Sequence, residues 1–142
     1  MSTIVATFDG LAREIRTRVM VMPAIGGITS APVAVKCTAV WDTGSNNSVI
    51  DVGVARKLGL SPISVTTVLT ANGPYETPVY AIDLILPTDE TLADILVTES
   101  NLKVCDALIG MDVITQGDFL ITNAPNTRFE FRIPSKGVPQ LV

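Results

Sequence analysis

The chain has 142 residues and a formal net charge of −4 at pH 7. The length fits a single domain. The negative charge argues against nucleic acid as a partner, because nucleic-acid binding needs a basic surface. There is no histidine, so a Ser-His-Asp triad, a Cys-His pair and a histidine-ligated zinc site are excluded. Two cysteines are too few for a four-cysteine metal site, and no acidic spacing matches a calcium loop. We therefore expect no metal and no cofactor, and any acid-base chemistry must fall to carboxylates.

The sequence carries no signal for export or for membrane insertion. Residues 1–9 lack both a basic region and a long apolar stretch, so they do not form a secretory signal. Two uncharged stretches, 19–35 and 58–75, are interrupted by prolines and glycines and do not predict a transmembrane helix. We expect a soluble, cytoplasmic protein without membrane contact, whose two cysteines are reduced and packed.

The composition favours strands, since Val, Ile and Thr supply 46 residues (17, 13 and 16) and their β-branched side chains suit a pleated sheet. Residues 3–8 and 11–22 alternate on either side of Asp9-Gly10, which predicts a β-hairpin. A loop is expected at 24–32. Residues 33–41 are largely apolar and predict a buried strand.

Beyond residue 41 the pattern predicts short strands and two short helices. The strands are expected at 49–50, 62–70, 76–86, 91–98, 102–109, 119–122 and 127–133, and the helical turns at 51–60 and 111–116. Gly59 and Gly117 are expected to end the helices. The Asn72-Gly73 pair marks the tip of the long hairpin. Because no change in composition along the chain marks a domain boundary, we predict a single domain, residues 1–142, with a loose tail at 134–142.

Asp42 directly follows the apolar strand and precedes Thr43 and Gly44. A carboxylate at the end of a buried strand is costly unless it is hydrogen-bonded. Gly44 permits a tight turn, and Thr43 can hydrogen-bond to the backbone around it. Such a turn can hold a carboxylate at the mouth of a cleft. On these three residues alone, an Asp that only caps a turn remains an open interpretation.

The longer string from Ala39 to Ile50 (AVWDTGSNNSVI) resembles the active-site loop of retropepsin-like aspartic proteases. Downstream, residues 106–114 (DALIGMDVI) resemble the second motif of that family: two apolar residues, a glycine and a short helix. Its Gly-Met-Asp form is similar to the retroelement and cellular branches. The hairpin at 69–79 lies between the two motifs, where the family has its flap. The resemblance covers about residues 30–123.

The resemblance implies an all-β, closed acid-protease barrel with one or two short helices, which functions as a homodimer with its site on the two-fold axis. It places the catalytic carboxylate at Asp42, with Thr43 bonding across to the partner copy and Gly44 orienting the carboxylate. The implied activity is that of an endopeptidase in which water is activated between two Asp42 carboxylates. Asn72 and Gly73 would meet an extended peptide substrate. Tyr75 would contact the substrate, pin the flap, or simply pack on the domain surface.

The sequence departs from retroviral members of the family at the loop and at the second motif. Asn46 and Asn47 stand where those members have acidic residues, and Met111 stands in place of an arginine, so their dimer-supporting ion network is missing. Met111 and Asp112 then predict only a helix start with an acidic residue near its N-terminus.

The terminal hairpin at 119–133 is longer than the terminal strands through which retroviral members dimerise. We hypothesise that two copies of it build the dimer sheet through the apolar face of Phe119, Phe129 and Phe131.

Two other interpretations of the whole chain stay open. One is a catalytically silent peptide-binding or dimerisation module that keeps the fold, and the other is a β protein whose motif match is coincidental. The intact Asp42-Thr43-Gly44 favours the enzyme, because a binding module has no evident need for paired carboxylates.

Overall fold

The computed structural model describes residues 2–24 and 33–138, so the predicted loop at 24–32 lies outside the described residues except for Ala24. Within these ranges the chain forms ten strands and two short helices. The strands are β1 (Ser2–Thr7), β2 (Arg16–Pro23), β3 (Val35–Trp41), β4 (Val49–Asp51), β5 (Ser64–Thr70), β6 (Gly73–Ile85), β7 (Thr91–Ser100), β8 (Ala107–Ile109), β9 (Asp118–Thr122) and β10 (Arg128–Ile133). The helices are α1 (Val52–Leu58) and α2 (Met111–Ile114). The predicted all-β class is confirmed.

The strands form two sheets. The larger one, the barrel sheet, has the order β2-β3-β8-β4-β7-β6-β5, and it closes on itself because β2 also pairs with β6. The smaller one, the terminal sheet, has the order β1-β10-β9. Within the barrel sheet β8 lies between β3 and β4, parallel to β3 and antiparallel to β4. The loop that joins β3 to β4 must therefore pass over the end of β8, and this loop begins at Asp42.

An aromatic cluster joins the two sheets in the core. The Trp41 ring lies 5.0 Å from Phe129 and 4.8 Å from Phe131, measured between ring centroids. Every second residue of β10 points inward, and both phenylalanines have no exposed surface. Burying each of these side chains stabilises the fold by about 1.5–3 kcal/mol. Trp41 is thus fixed by the terminal sheet immediately before the chain reaches Asp42.

This packing corrects the hypothesis about the dimer face. Phe129 and Phe131 face the core of their own chain and are not available to a second copy. The outward side chains of the terminal sheet alternate with them, and they include the half-exposed Val5 and Leu120, which flank Glu130 in the strand register.

The predicted N-terminal hairpin is wrong. β1 pairs with β10 in the terminal sheet, whereas β2 pairs with β3 and β6 in the barrel sheet. The Asp9-Gly10 bend, with Gly10 at φ +87°, instead leads the chain from one sheet to the other. Thr127 holds this bend: its N–H donates to the Gly10 carbonyl at 2.9 Å, and its carbonyl accepts from the Phe8 N–H at 3.0 Å.

Several other elements differ from their predicted lengths. Strand β8 is shorter than the predicted 102–109, because the chain bends before Asp106, whose carboxylate accepts the Thr38 N–H at 2.8 Å. The turn of the long hairpin contains only Ala71 and Asn72, since Thr70 pairs with Gly73.

Of the tail predicted to be loose, 134–142, the last four residues lie outside the described residues, and the part before them is bound to the terminal sheet as far as Gly137. Asp118 accepts hydrogen bonds from the Ser135 hydroxyl and from the N–H groups of Lys136 (2.7 Å) and Gly137 (3.2 Å).

Among residues 2–24 and 33–138, no helix is long and apolar enough to cross a membrane.

Candidate active site

Asp42 is fixed at the point where β3 ends. Its N–H donates to the Ile109 carbonyl on the neighbouring strand β8 at 2.8 Å. Its carboxylate turns back over the chain, and Oδ1 accepts the Gly44 N–H at 2.9 Å. A Cβ at Gly44 would lie 3.2 Å from that same oxygen, so the absence of a side chain allows this close approach. The half-buried carboxylate is therefore oriented by the backbone, and Thr43 lies exposed beside it.

The segment 42–48, which we call the Asp42 loop, sits on the start of α2. The Met111 N–H donates to the Ser45 carbonyl at 2.8 Å. A Cβ at Gly110 would lie 2.7 Å from the carbonyl oxygens of Ser45 and Asn47, which is closer than real contacts allow. The glycine of the second motif is thus required because the Asp42 loop presses against it.

A second attachment joins the far end of the Asp42 loop to the same helix. The Asp112 carboxylate accepts the Ser48 N–H at 2.9 Å and the Ser48 hydroxyl at 2.8 Å. The Ser48 hydroxyl oxygen in turn accepts the Gly110 N–H at 3.0 Å. From the sequence, Asp112 was predicted only to lie near the N-terminus of a short helix. No local signal connects it with Ser48, because the two residues meet only once β4 and β8 are paired.

A cleft of about 720 Å³ opens beside the Asp42 loop. It is lined by residues 44–47 of the loop, by 64–69 of β5, by Val79 of β6 and by 96–98 of β7. None of these lining residues has a charged side chain. The cleft is uncharged, and one of its sides is formed by the loop that carries Asp42, although Asp42 and Thr43 themselves do not line it.

The hairpin β5–β6 forms the wall of this cleft and projects beyond the rest of the sheet. Backbone pairing of β6 with β7 begins only at Val79, opposite Thr98. Just before that point, Thr77 continues the connection with its side chain: its hydroxyl donates to the Glu99 carbonyl at 2.9 Å and accepts the Glu99 N–H at 3.1 Å. Thr77 therefore marks the base of the projecting arm.

The structure separates the predicted site residues into two groups. Asp42, Thr43 and Gly44 are together in the loop, whereas Asn72 and Gly73 lie at the tip of the hairpin, where Gly73 has φ +103°. Neither tip residue lines the cleft in this conformation.

Tyr75 lies in a separate hollow, which it shares with Val52 and Arg56 of α1. Its hydroxyl is 3.5 Å from the Glu99 carbonyl, the same oxygen that Thr77 binds. Tyr80 also reaches Glu99, donating to its carboxylate at 3.0 Å. Burial, and next this hydrogen bond, raise the pKa of Tyr80. Three side chains of β6 thus converge on one residue of β7.

The part of the chain that the structure describes contains no cluster of potential metal ligands. Within residues 2–24 and 33–138, no three Cys, Asp or Glu side chains are grouped so that they could hold a metal ion.

Comparison with known proteins gives a family and a fold. The family described as aspartyl protease matches residues 16–113, more than half of the chain. A retropepsin-like aspartic protease from Rickettsia conorii has a similar structure, with a TM-score of 0.59 and 18% sequence identity over 92% of each chain. No curated protein matches the sequence.

Two looser structural matches have TM-scores too low to support an argument. The protease of simian foamy virus (mac) has a TM-score of 0.45 and 16% identity over 68% of this chain and 89% of that one. A protein of unknown function from Legionella pneumophila has a TM-score of 0.39 and 20% identity over 68% of this chain and 82% of that one. The family match covers the Asp42 loop and the second motif together, and the chain belongs to the aspartyl protease family and has a retropepsin-like fold.

Proposed function

We propose that this protein is an aspartic endopeptidase that hydrolyses peptide bonds with a water molecule activated between the Asp42 carboxylates of two copies of the chain. The observation that carries the proposal is the setting of Asp42. Its backbone is bound to Ile109 and its carboxylate to the Gly44 N–H, and residues 44–47 of the same loop line a cleft of about 720 Å³.

The chemistry requires two carboxylates. Hydrolysis without a nucleophilic side chain needs a base that takes a proton from water and an acid that polarises the scissile carbonyl. Two carboxylates about 3 Å apart cannot both ionise, so one Asp42 serves as base while the other, protonated, hydrogen-bonds the substrate carbonyl and then assists the leaving nitrogen. The two proton equilibria belong to the pair, and the rate should be bell-shaped with pH on the acid side of neutrality.

The need for a second carboxylate makes the homodimer part of the proposal. A two-fold axis places each residue opposite its own copy, so one Asp42 per chain suffices. Thr43, exposed beside Asp42, then bonds across to the partner copy. Since Phe129 and Phe131 are internal, the contact between copies uses the Asp42 loop and the outward or edge residues of the terminal sheet, such as Leu120.

The substrate is an extended peptide that lies in the cleft between the Asp42 loop and the hairpin β5–β6. Asn72 and Gly73 at the hairpin tip meet its backbone when the hairpin closes, in the manner of an added strand. Tyr75 anchors the base of the hairpin through Glu99, since it faces a hollow other than the cleft.

The proposed activity requires no metal or cofactor. We place the protein in the cytoplasm, where Cys37 and Cys105, both free, would remain reduced.

The decisive experiment compares the wild type with Asp42→Asn on peptide libraries at about pH 4–6, with oligomeric state measured by sedimentation in parallel. Asp89→Asn is the matched control, because Asp89 lies in an exposed turn and Asn tolerates its positive φ of 67°. We expect cleavage by the wild type and the control, no cleavage by Asp42→Asn, and the same oligomeric state for all three. A wild type that cleaves nothing at any pH would indicate the silent peptide-binding module instead.

A further inference from the structure

Asp112 and Ser48 form a closed hydrogen-bonded pair on the inner side of the Asp42 loop. The Asp112 carboxylate accepts the Ser48 N–H at 2.9 Å, the Ser48 hydroxyl at 2.8 Å and the Val113 N–H at 2.9 Å. Ser48 is only 5% exposed, and its hydroxyl oxygen also accepts the Gly110 N–H. The Ser48 hydroxyl therefore acts both as donor and as acceptor, and its two partners, Asp112 and Gly110, lie on one short segment beside the loop.

The hydrogen bonds between Ser48 and Asp112 fix one of the two ends of the Asp42 loop. The Asp42 loop leaves β3 at Asp42, whose N–H is bound to Ile109, and it re-enters the sheet after Ser48. Both anchors lie on the segment 109–112, and between them the Met111 N–H binds the Ser45 carbonyl. Four consecutive residues of one segment thus hold the loop on this side, while on the other side the Thr98 N–H of β7 binds the Ser48 carbonyl at 3.3 Å.

We propose that Asp112, acting through Ser48, is a positioning residue for the Asp42 carboxylate; the proposal rests on the proposed peptidase function. Hydrogen bonds to a carboxylate are shorter and stronger than those between neutral groups, so Asp112 holds Ser48 more firmly than a neutral side chain would. Release of Ser48 would let the loop move as a unit about Asp42. Small displacements of this kind weaken catalysis strongly, by about 100-fold for about 1 Å.

Apart from Asp42 itself, the loop carries no charged side chain, which makes this contact more important. Asn46 and Asn47 carry no charge and Met111 offers none, so Asp112 is the ionisable side chain that binds the loop from α2. Asn47 contributes a neutral contact on the other side, where its side-chain amide donates to the Thr98 hydroxyl at 3.1 Å.

The test uses Asp112→Asn, Ser48→Ala and Ser48→Thr in the full-length protein, with Thr115→Ala as control. Thr115 lies at the end of the same helix, and its exposed hydroxyl binds only the Met111 carbonyl. In Asp112→Asn one oxygen is replaced by an NH₂ group, which cannot accept a hydrogen bond from Ser48. We expect kcat to fall by about 10–100-fold for Asp112→Asn and Ser48→Ala, with a smaller change in KM, because the lining residues on β5, β6 and β7 stay in place. Ser48→Thr, which keeps the hydroxyl, should recover most of the activity, and Thr115→Ala should match the wild type.

Hydrogen exchange separates this proposal from the proposed function. The Gly44 N–H reports the contact with the Asp42 carboxylate whether or not the protein cleaves peptides. It should exchange faster in Asp112→Asn and Ser48→Ala than in the wild type, while amides of β10 keep their protection. If Asp112→Asn does not fold, the comparison of Ser48→Ala with Ser48→Thr decides. Unchanged Gly44 exchange in a folded variant, or a loss of activity carried by KM alone, would overturn the positioning role, whereas an inactive wild type would overturn only the proposed function.

Discussion

Replacement of Phe129 by alanine tests whether the terminal sheet holds the fold together from inside the chain. The Phe129 ring has no exposed surface, and its centroid lies 5.0 Å from that of Trp41 and 5.1 Å from that of Phe119. Truncation of a buried phenylalanine lowers the free energy of unfolding by about 3–5 kcal/mol, and the whole domain is stable by only about 5–15 kcal/mol. With a denaturant slope of about 2 kcal/mol/M, the urea midpoint should fall by about 2 M.

Trp41 provides the assay, since it is the only tryptophan and is 5% exposed, so its emission should shift to the red on unfolding. The titration is made at two protein concentrations, because a dimer gains apparent stability with concentration. Val104→Ala is the control: this side chain is exposed, it lies outside the terminal sheet and the Asp42 loop, and the expected loss is below about 0.5 kcal/mol. A Phe129→Ala midpoint within 0.3 M of the control, as an approximate threshold from the same slope, would refute the internal placement of the ring and restore it as a candidate dimer contact.

Three further predictions concern single positions. Gly110→Ala should abolish cleavage and lower the melting temperature, because the new Cβ would lie 2.7 Å from two backbone carbonyls of the Asp42 loop. Gly59→Ala, where φ is +60° and the surrounding space is open, should lose only about 1 kcal/mol in a urea titration and keep its activity. Burial, and next the charge of Asp106, raise the pKa of the Cys37 thiol from 9.0 to about 11. The folded state therefore keeps a proton that the unfolded state releases, so stability should fall as pH rises from about 9 to about 11, and Cys37→Ala should lessen that fall in urea midpoints.

Local sequence patterns correctly predicted those helices and strands whose start and end signals lie within the element itself. Helix α1 ends at Gly59, as predicted, because that residue adopts the left-handed conformation and its N–H bonds back to the Arg56 carbonyl. The hairpin β9–β10 also has the predicted position. The partner of β1 was not predictable in this way. Its alternation fits any neighbouring strand, and the choice of β10 depends on the burial of Ile4 beside Phe131, which no local pattern contains.

The same distinction applies to the candidate site. The position of Asp42 after a strand, and the need for Gly44, follow from neighbouring residues, and the loop has the compact form that those residues predict. The contact of Ser48 with Asp112 was missed because its two halves come from different motifs. For Tyr75 the sequence left substrate contact, pinning of the flap and surface packing open, and in the structure its side chain lies in the hollow beside α1, near the Glu99 carbonyl.

The attachment of the Asp42 loop to its own chain has a consequence for assembly. Resemblance to retroviral members implies that ion pairs at these positions support their dimer, whereas here Ile109 and Asp112 hold the loop within one subunit. Fixing the backbone of a loop costs about 1–2 kcal/mol per residue, and in this protein that cost is met during folding rather than during association. Association of the proposed dimer then brings together two loops that are already ordered, so even a modest contact between copies can complete the site. Dissociation would remove the second carboxylate from each Asp42 without loosening the first.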